Sequence, residues 1–192
     1  MTARSLHTLL AGLIDYAGLF PPAALPMDEA VRNYARYRDG GHAWALGKFV
    51  VTEERAHEVP GDFSLSILGI DEVKAATPDD VARIAETSAG RTVYVEITDL
   101  ALLDAIARHG LRAKIRTGGV TADAFPSPQT IARFLRACRE RGVAFKATAG
   151  LHHPLRCVRP LTYEPDAPTG TMHGFLNVFL AAAMLDDAEA IL

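Results

Sequence analysis

The chain has 192 residues, 49% hydrophobic and 22% charged, with a net charge of −3. That length and balance suit one globular domain or two small ones and exclude a disordered chain. Twenty basic against 23 acidic residues give no overall field for nucleic acid. No apolar run approaches the ~18 residues of a membrane span, and the N-terminal stretch meets Asp15 without a cleavage signature, so neither membrane nor leader is expected. Cys138 and Cys157 read as reduced thiols of a cytoplasmic protein.

In chain order, residues 5–14 predict a helix and 15–20 a first strand, broken by Pro21, Pro22 and Pro26. A helix from Met27 runs to Gly40 and Gly41. Residues 46–51 and 64–70 predict the second and third strands, separated by a Pro60-Gly61 turn. A helix follows with Thr77 as N-cap and Pro78 at its first position, then a fourth strand at 92–97. The helix ending at Gly110 leads to a fifth strand at 112–119. Ser127 and Pro128 open the next helix, and a sixth strand spans 143–150. The segment 151–170 reads as a loop, and an apolar helix over 173–185 follows.

Strands alternating with helices at about 30-residue spacing predict α/β architecture with a parallel sheet. The turn after the first strand, LFPPAALP, is unsuited to cradle a dinucleotide, which favours a parallel (β/α) barrel-like fold of TIM type over a doubly wound one. About six βα units are expected in one domain over residues 1–192, two strands short of an eight-stranded barrel. A longer chain, a partner in a homo-oligomer covering the open edge, or an unclosed sheet are the three ways to account for that.

Of the 20 basic residues, 16 are Arg and four are Lys. Lys48, Lys114 and Lys146 fall inside apolar, strand-like runs. Lys, unlike Arg, loses its proton when desolvated and then acts as a nucleophile or base. Strand alternation puts Glu96 on one side of its strand, Lys114 and Arg116 on one side of theirs, and Lys146 with Thr148 on one side of the last, opposite apolar residues. Lys48 is a candidate to join them. Burying several charges costs several kcal/mol each unless they are paired, so three consecutive strands aiming charge at one cavity point to a site. Lys146 is then the candidate nucleophile, Glu96 the proton carrier, and Lys114 the neighbouring cation. Arg116 and the Gly118-Gly119 turn are candidates for holding a small anionic substrate, with Thr148 orienting a water. The alternative is an ion cluster that only neutralises itself, in a non-catalytic ligand-binding subunit.

The stretch Lys146-Ala147-Thr148-Ala149-Gly150-Leu151 resembles the Schiff-base strand of deoxyribose-phosphate aldolases and related class I aldolases. The likeness extends over roughly 60 residues, from the fourth to the sixth strand. It implies a lyase in which Lys146 forms an imine with a small anionic carbonyl compound, Glu96 stands where the family has an aspartate, and no cofactor is needed. The family's second lysine, on a seventh strand, has no counterpart; Lys114 is the residue able to take its electrostatic place. IDYAGLFPPA and MHGFLNVFLAAAML are also similar to segments of a bacterial barrel family, from which no reaction follows.

The histidines offer a different chemistry. His152 and His153 follow the sixth strand and His173 starts the last helix; with Asp15, Glu96, Glu164 or Asp166 they are alternative ligands for a divalent metal in a hydrolase or isomerase. Their spacing matches no standard motif. His152 and His153 are equally placed to act as acid–base groups beside an imine.

Overall fold

The computed structural model describes residues 3–192; residues 1–2, the start of the segment examined for a leader, lie outside it. The chain divides into two compact units, one ending at Ile70 and the other beginning at Asp71. Both are α/β, with parallel strands in chain order over residues 14–68 in the first and 72–148 in the second, as the alternation of strand and helix patterns predicts. No helix among the described residues is long and apolar enough to cross a membrane.

The first unit comprises helix α1 (Ala3–Leu10), strand β1 (Ile14–Tyr16), helix α2 (Met27–Arg38), strand β2 (Leu46–Thr52) and strand β3 (Leu65–Leu68). β1 pairs with β2, Ile14 opposite Leu46, and β2 with β3, Phe49 opposite Leu65 and Val51 opposite Ile67. Its core is Ala30 and Tyr34 of α2 packed on Phe49 and Val51 of β2, with Tyr16 and Phe63 against them. Tyr34 and Phe49 meet edge to face at 5.4 Å between ring centroids. The Tyr34 hydroxyl donates to the Gly47 carbonyl at 2.7 Å, giving a buried ring's polar end its partner.

The second unit holds strand β4 (Glu72–Lys74), helix α3 (Pro78–Thr87), strand β5 (Tyr94–Glu96), helix α4 (Leu103–Arg108), strand β6 (Arg112–Arg116), helix α5 (Pro128–Glu140) and strand β7 (Phe145–Thr148). Strands β8 (Cys157–Pro160) and β9 (Thr169–Met172) and helices α6 (Phe175–Ala183) and α7 (Ala188–Ile191) complete it. β4 to β7 form parallel neighbours in that order. The caps fall where the sequence places them. Thr77 Oγ1 accepts from the Asp80 N–H at 3.1 Å while the Asp80 carboxylate accepts from the Thr77 N–H at 2.9 Å, and Ser127 Oγ accepts from the Thr130 N–H at 3.2 Å. Val93, Val95, Ile97, Ala113 and Ile115 pack on Leu103, Ile106, Ile131, Phe134 and Leu135 of the helices.

The first strand, expected over 15–20, is Ile14–Tyr16, and two further features depart from the strand and loop expectations. The run 64–70 ends as a strand at Leu68, and a separate three-residue strand, β4, begins at Glu72. The segment 151–170, expected as a loop, contributes the strand β8 and the start of β9, an antiparallel pair with Cys157 opposite Met172. Its four prolines, Pro154, Pro160, Pro165 and Pro168, read as loop and hide the short strands among them.

Candidate functional site

Strands β4 to β7 stack their same-face residues in rows. Glu72, Tyr94 and Arg112 are level with one another, and Lys74, Glu96, Lys114 and Lys146 form the next row. One step further, Arg116 is level with Thr148. The alternate residues, Val73, Val95, Ala113, Ile115 and Ala147, belong to the apolar core. This division follows from the two-residue period of a strand: every second position of E-V-K, Y-V-E, R-A-K-I-R and F-K-A-T is polar or aromatic and its neighbours are apolar. From β4 to β6, opposite charges level on neighbouring strands also favour this register over one shifted by a residue, whereas on β6 and β7 Lys114 is level with the like-charged Lys146.

Four of these side chains form a continuous buried chain of ion pairs. Lys146 Nζ lies 2.6 Å from Glu72 Oε1, Lys114 Nζ lies 2.8 Å from Glu72 Oε2, and the same Nζ lies 3.1 Å from Glu96 Oε2. The side chain of Glu72 is 2% exposed, those of Lys114 and Glu96 10%, and that of Lys146 16%. Burial opposes ionisation of Glu72, but the charge of Lys146 and hydrogen bonds from Lys114 and Lys146 outweigh it and hold its carboxyl down at about 2. Glu72 is therefore a carboxylate throughout the neutral range, shared between two ammonium groups. Lys146 Nζ also lies over the Tyr94 ring, 5.5 Å from its centroid. The Tyr94 hydroxyl accepts from the Arg112 guanidinium at 2.9 Å, and Lys74, 78% exposed, approaches Glu96 at 3.6 Å. At that exposure the Lys74 pair is screened and adds little.

The expected residues are placed as follows. Glu96, Lys114 and Lys146 share one face of adjacent strands, but the carboxylate that joins the two lysines is Glu72, which the sequence reading did not single out. Lys48 lies on β2 in the first unit, where its backbone N–H donates to Asp15 Oδ1 at 2.7 Å. Arg116 is exposed and its guanidinium reaches the Gly118 carbonyl at 3.5 Å. Gly118 has a packing reason to be glycine: a Cβ there would run into the Phe125 ring and come within 2.8 Å of Gly150 Cα. At Gly119 a Cβ would meet that of Ala124 at 2.8 Å. The Thr148 carbonyl accepts from the Thr117 N–H at 2.8 Å. Thr117, fully buried, also donates its hydroxyl to the Ala149 carbonyl at 2.7 Å, holding a non-glycine residue at φ +66° beside the end of β7.

The histidines are dispersed in their roles. His152 is exposed and His153 half-buried, its carbonyl accepting from the Phe175 N–H at 3.0 Å. His173 is buried, with Nε2 2.7 Å from the Pro126 carbonyl. Among the described residues no three His, Cys, Asp or Glu side chains come together in a geometry that could hold a metal ion. Both cysteines are free, and burial pushes the Cys138 thiol up to about 12.

In chemical terms the site offers two amines and two carboxylates in alternation. Each lysine ammonium has a carboxylate oxygen within 3.1 Å. No family model, curated protein or solved structure matches the chain.

Proposed function

We propose that this protein is a lyase of class I aldolase type, which forms a Schiff base between Lys146 and a small anionic carbonyl compound. The observation that carries the reading is the buried chain Lys146–Glu72–Lys114–Glu96, in which the more accessible amine sits 2.6 Å from a carboxylate that a second lysine also holds. Loss of a proton from the Lys146 ammonium leaves an amine that is largely buried and level with the Lys114 cation, two conditions that favour a nucleophilic lysine. Lys114 balances Glu72 and Glu96, so both carboxylates stay in place to move protons at the substrate carbon. Parallel strands in chain order and the likeness of the Lys146–Leu151 stretch to aldolase Schiff-base strands support a (β/α) barrel-like architecture of TIM type for the same reading.

Borohydride reduction in the presence of acetaldehyde, pyruvate or dihydroxyacetone phosphate tests it. The expected product is a stable secondary amine on Lys146, located by peptide mapping and lost in Lys146→Ala. Absence of an adduct with every small carbonyl tried, in protein shown to be folded, overturns the reading. The four charges would then be a self-neutralising cluster, which their one-to-one balance also fits, in a non-catalytic ligand-binding subunit.

A further inference from the structure

The buried charges of the second unit cancel: carboxylates Glu72 and Glu96 are matched by ammonium groups Lys114 and Lys146. Imine formation preserves that balance. The Lys146 ammonium gives up two protons, both of which leave with the carbonyl oxygen as water, and the new C=N bond keeps the third proton and the single positive charge. A carboxylate bonded directly to the reacting carbon would therefore enter this group as an extra buried anion beside two others, which is costly.

The cations around the group differ in what they hold. Lys74 lies near Glu96, and Arg112 is engaged by the Tyr94 hydroxyl. Among the described residues Arg116 makes no ion pair, and its guanidinium hydrogen-bonds only the Gly118 carbonyl, at 3.5 Å. It stands two residues beyond Lys114 on the same face of β6, about 6.6 Å along the strand, level with Thr148 on β7. A guanidinium at that position is exposed, and its planar fork fits a carboxylate.

From this spacing we propose, resting on the Schiff-base reading above, that the substrate is an oxo acid whose carboxylate is separated from its carbonyl by two or more carbons. Arg116 binds the carboxylate and Lys146 takes the carbonyl. A 2-oxo acid places its charge inside the balanced group; a 4-oxo acid places it at Arg116.

The test is the rate of borohydride-trapped labelling at Lys146 by 4-oxopentanoate, pyruvate and acetone at equal concentration. Each reduced adduct adds the mass of the carbonyl compound less one oxygen atom. The 4-oxo acid is expected to label roughly tenfold faster than the other two, the value of one charged hydrogen-bonded contact. Arg116→Gln should erase that preference and Arg116→Lys recover part of it. Pyruvate labelling as fast as the 4-oxo acid, or a preference that survives Arg116→Gln, overturns this inference while the Schiff base stands. Failure of all three to label overturns the inference together with the reading beneath it.

Discussion

The two units share one grammar, parallel strands laid down in chain order, and use it for opposite ends. In the first, β2 carries Phe49 and Val51 into an aromatic core with Tyr34 and Tyr16. Its carboxylate Asp15 accepts a backbone N–H, that of Lys48. In the second, the carboxylates Glu72 and Glu96 accept from lysine side chains, and a buried chain of ions lies on the sheet face opposite the apolar core. An apolar core draws its stability from many small contacts spread over its members. A buried ion chain holds together only while each charge keeps its partner, so the integrity of the second unit's candidate site depends on single atoms.

The largest expected effect sharpens that contrast. Glu72→Gln keeps the shape of the side chain and leaves Lys114 and Lys146 buried with one carboxylate between them. Breaking a buried pair in this way costs about 3–5 kcal/mol, to be read by urea unfolding. A loss under ~1 kcal/mol would show the row to be no more than a surface-like pair, and the comparison with the aromatic core would fail.

Acid should produce a somewhat smaller loss through the same residue. The Glu72 carboxyl titrates at about 2 in the folded chain against 4.5 for the free group. A depressed pKa stabilises the folded state above the unfolded value, and that contribution disappears as pH falls from about 4.5 through about 2. The amount is on the order of 3 kcal/mol. Stability measured across that interval should fall less steeply in Glu72→Gln than in the parent chain; parallel curves would remove Glu72 as the titrating group.

Much of this was legible beforehand because strands report themselves through a period of two. The runs Y-V-E, R-A-K-I-R and F-K-A-T put Glu96, Lys114 and Lys146 on common faces before any coordinates, and Thr77 and Ser127 announced their helix starts. Glu72 escaped because β4 has three residues, too few for a periodic signal, and it directly follows a run that reads as the end of another strand. The alternation E-V-K just before the Thr77 cap was the trace it left. The Gly118-Gly119 turn carries a packing role that was hidden for a related reason. A glycine needed for close packing looks, in sequence, like one needed to expose backbone N–H groups, and only the Phe125 ring and Gly150 distinguish the two.

That distinction is itself testable at an intermediate level. Gly118→Ala forces a methyl group into the Phe125 ring and toward Gly150 Cα, which overpacking prices at about 1–3 kcal/mol. Trimming the obstruction in Gly118→Ala with Phe125→Leu should recover part of the loss, a coupling that a turn valued only for its backbone N–H groups would not show.

The smallest effect belongs to the first unit and closes the comparison from the other side. Tyr34→Phe removes a single hydroxyl that donates to the Gly47 carbonyl at 2.7 Å and leaves the ring stacked edge to face on Phe49. The cost is one neutral hydrogen bond, about 1 kcal/mol, since the packing that dominates this core is untouched. Glu72→Gln also deletes little more than one polar atom's charge, so the two variants differ less in atoms than in setting. A ratio near three or more between their unfolding free energies would show that charge, not shape, holds the second unit's face together. Equal losses would mean that the ion row is embedded as permissively as the aromatic core and confers no special geometry on Lys146.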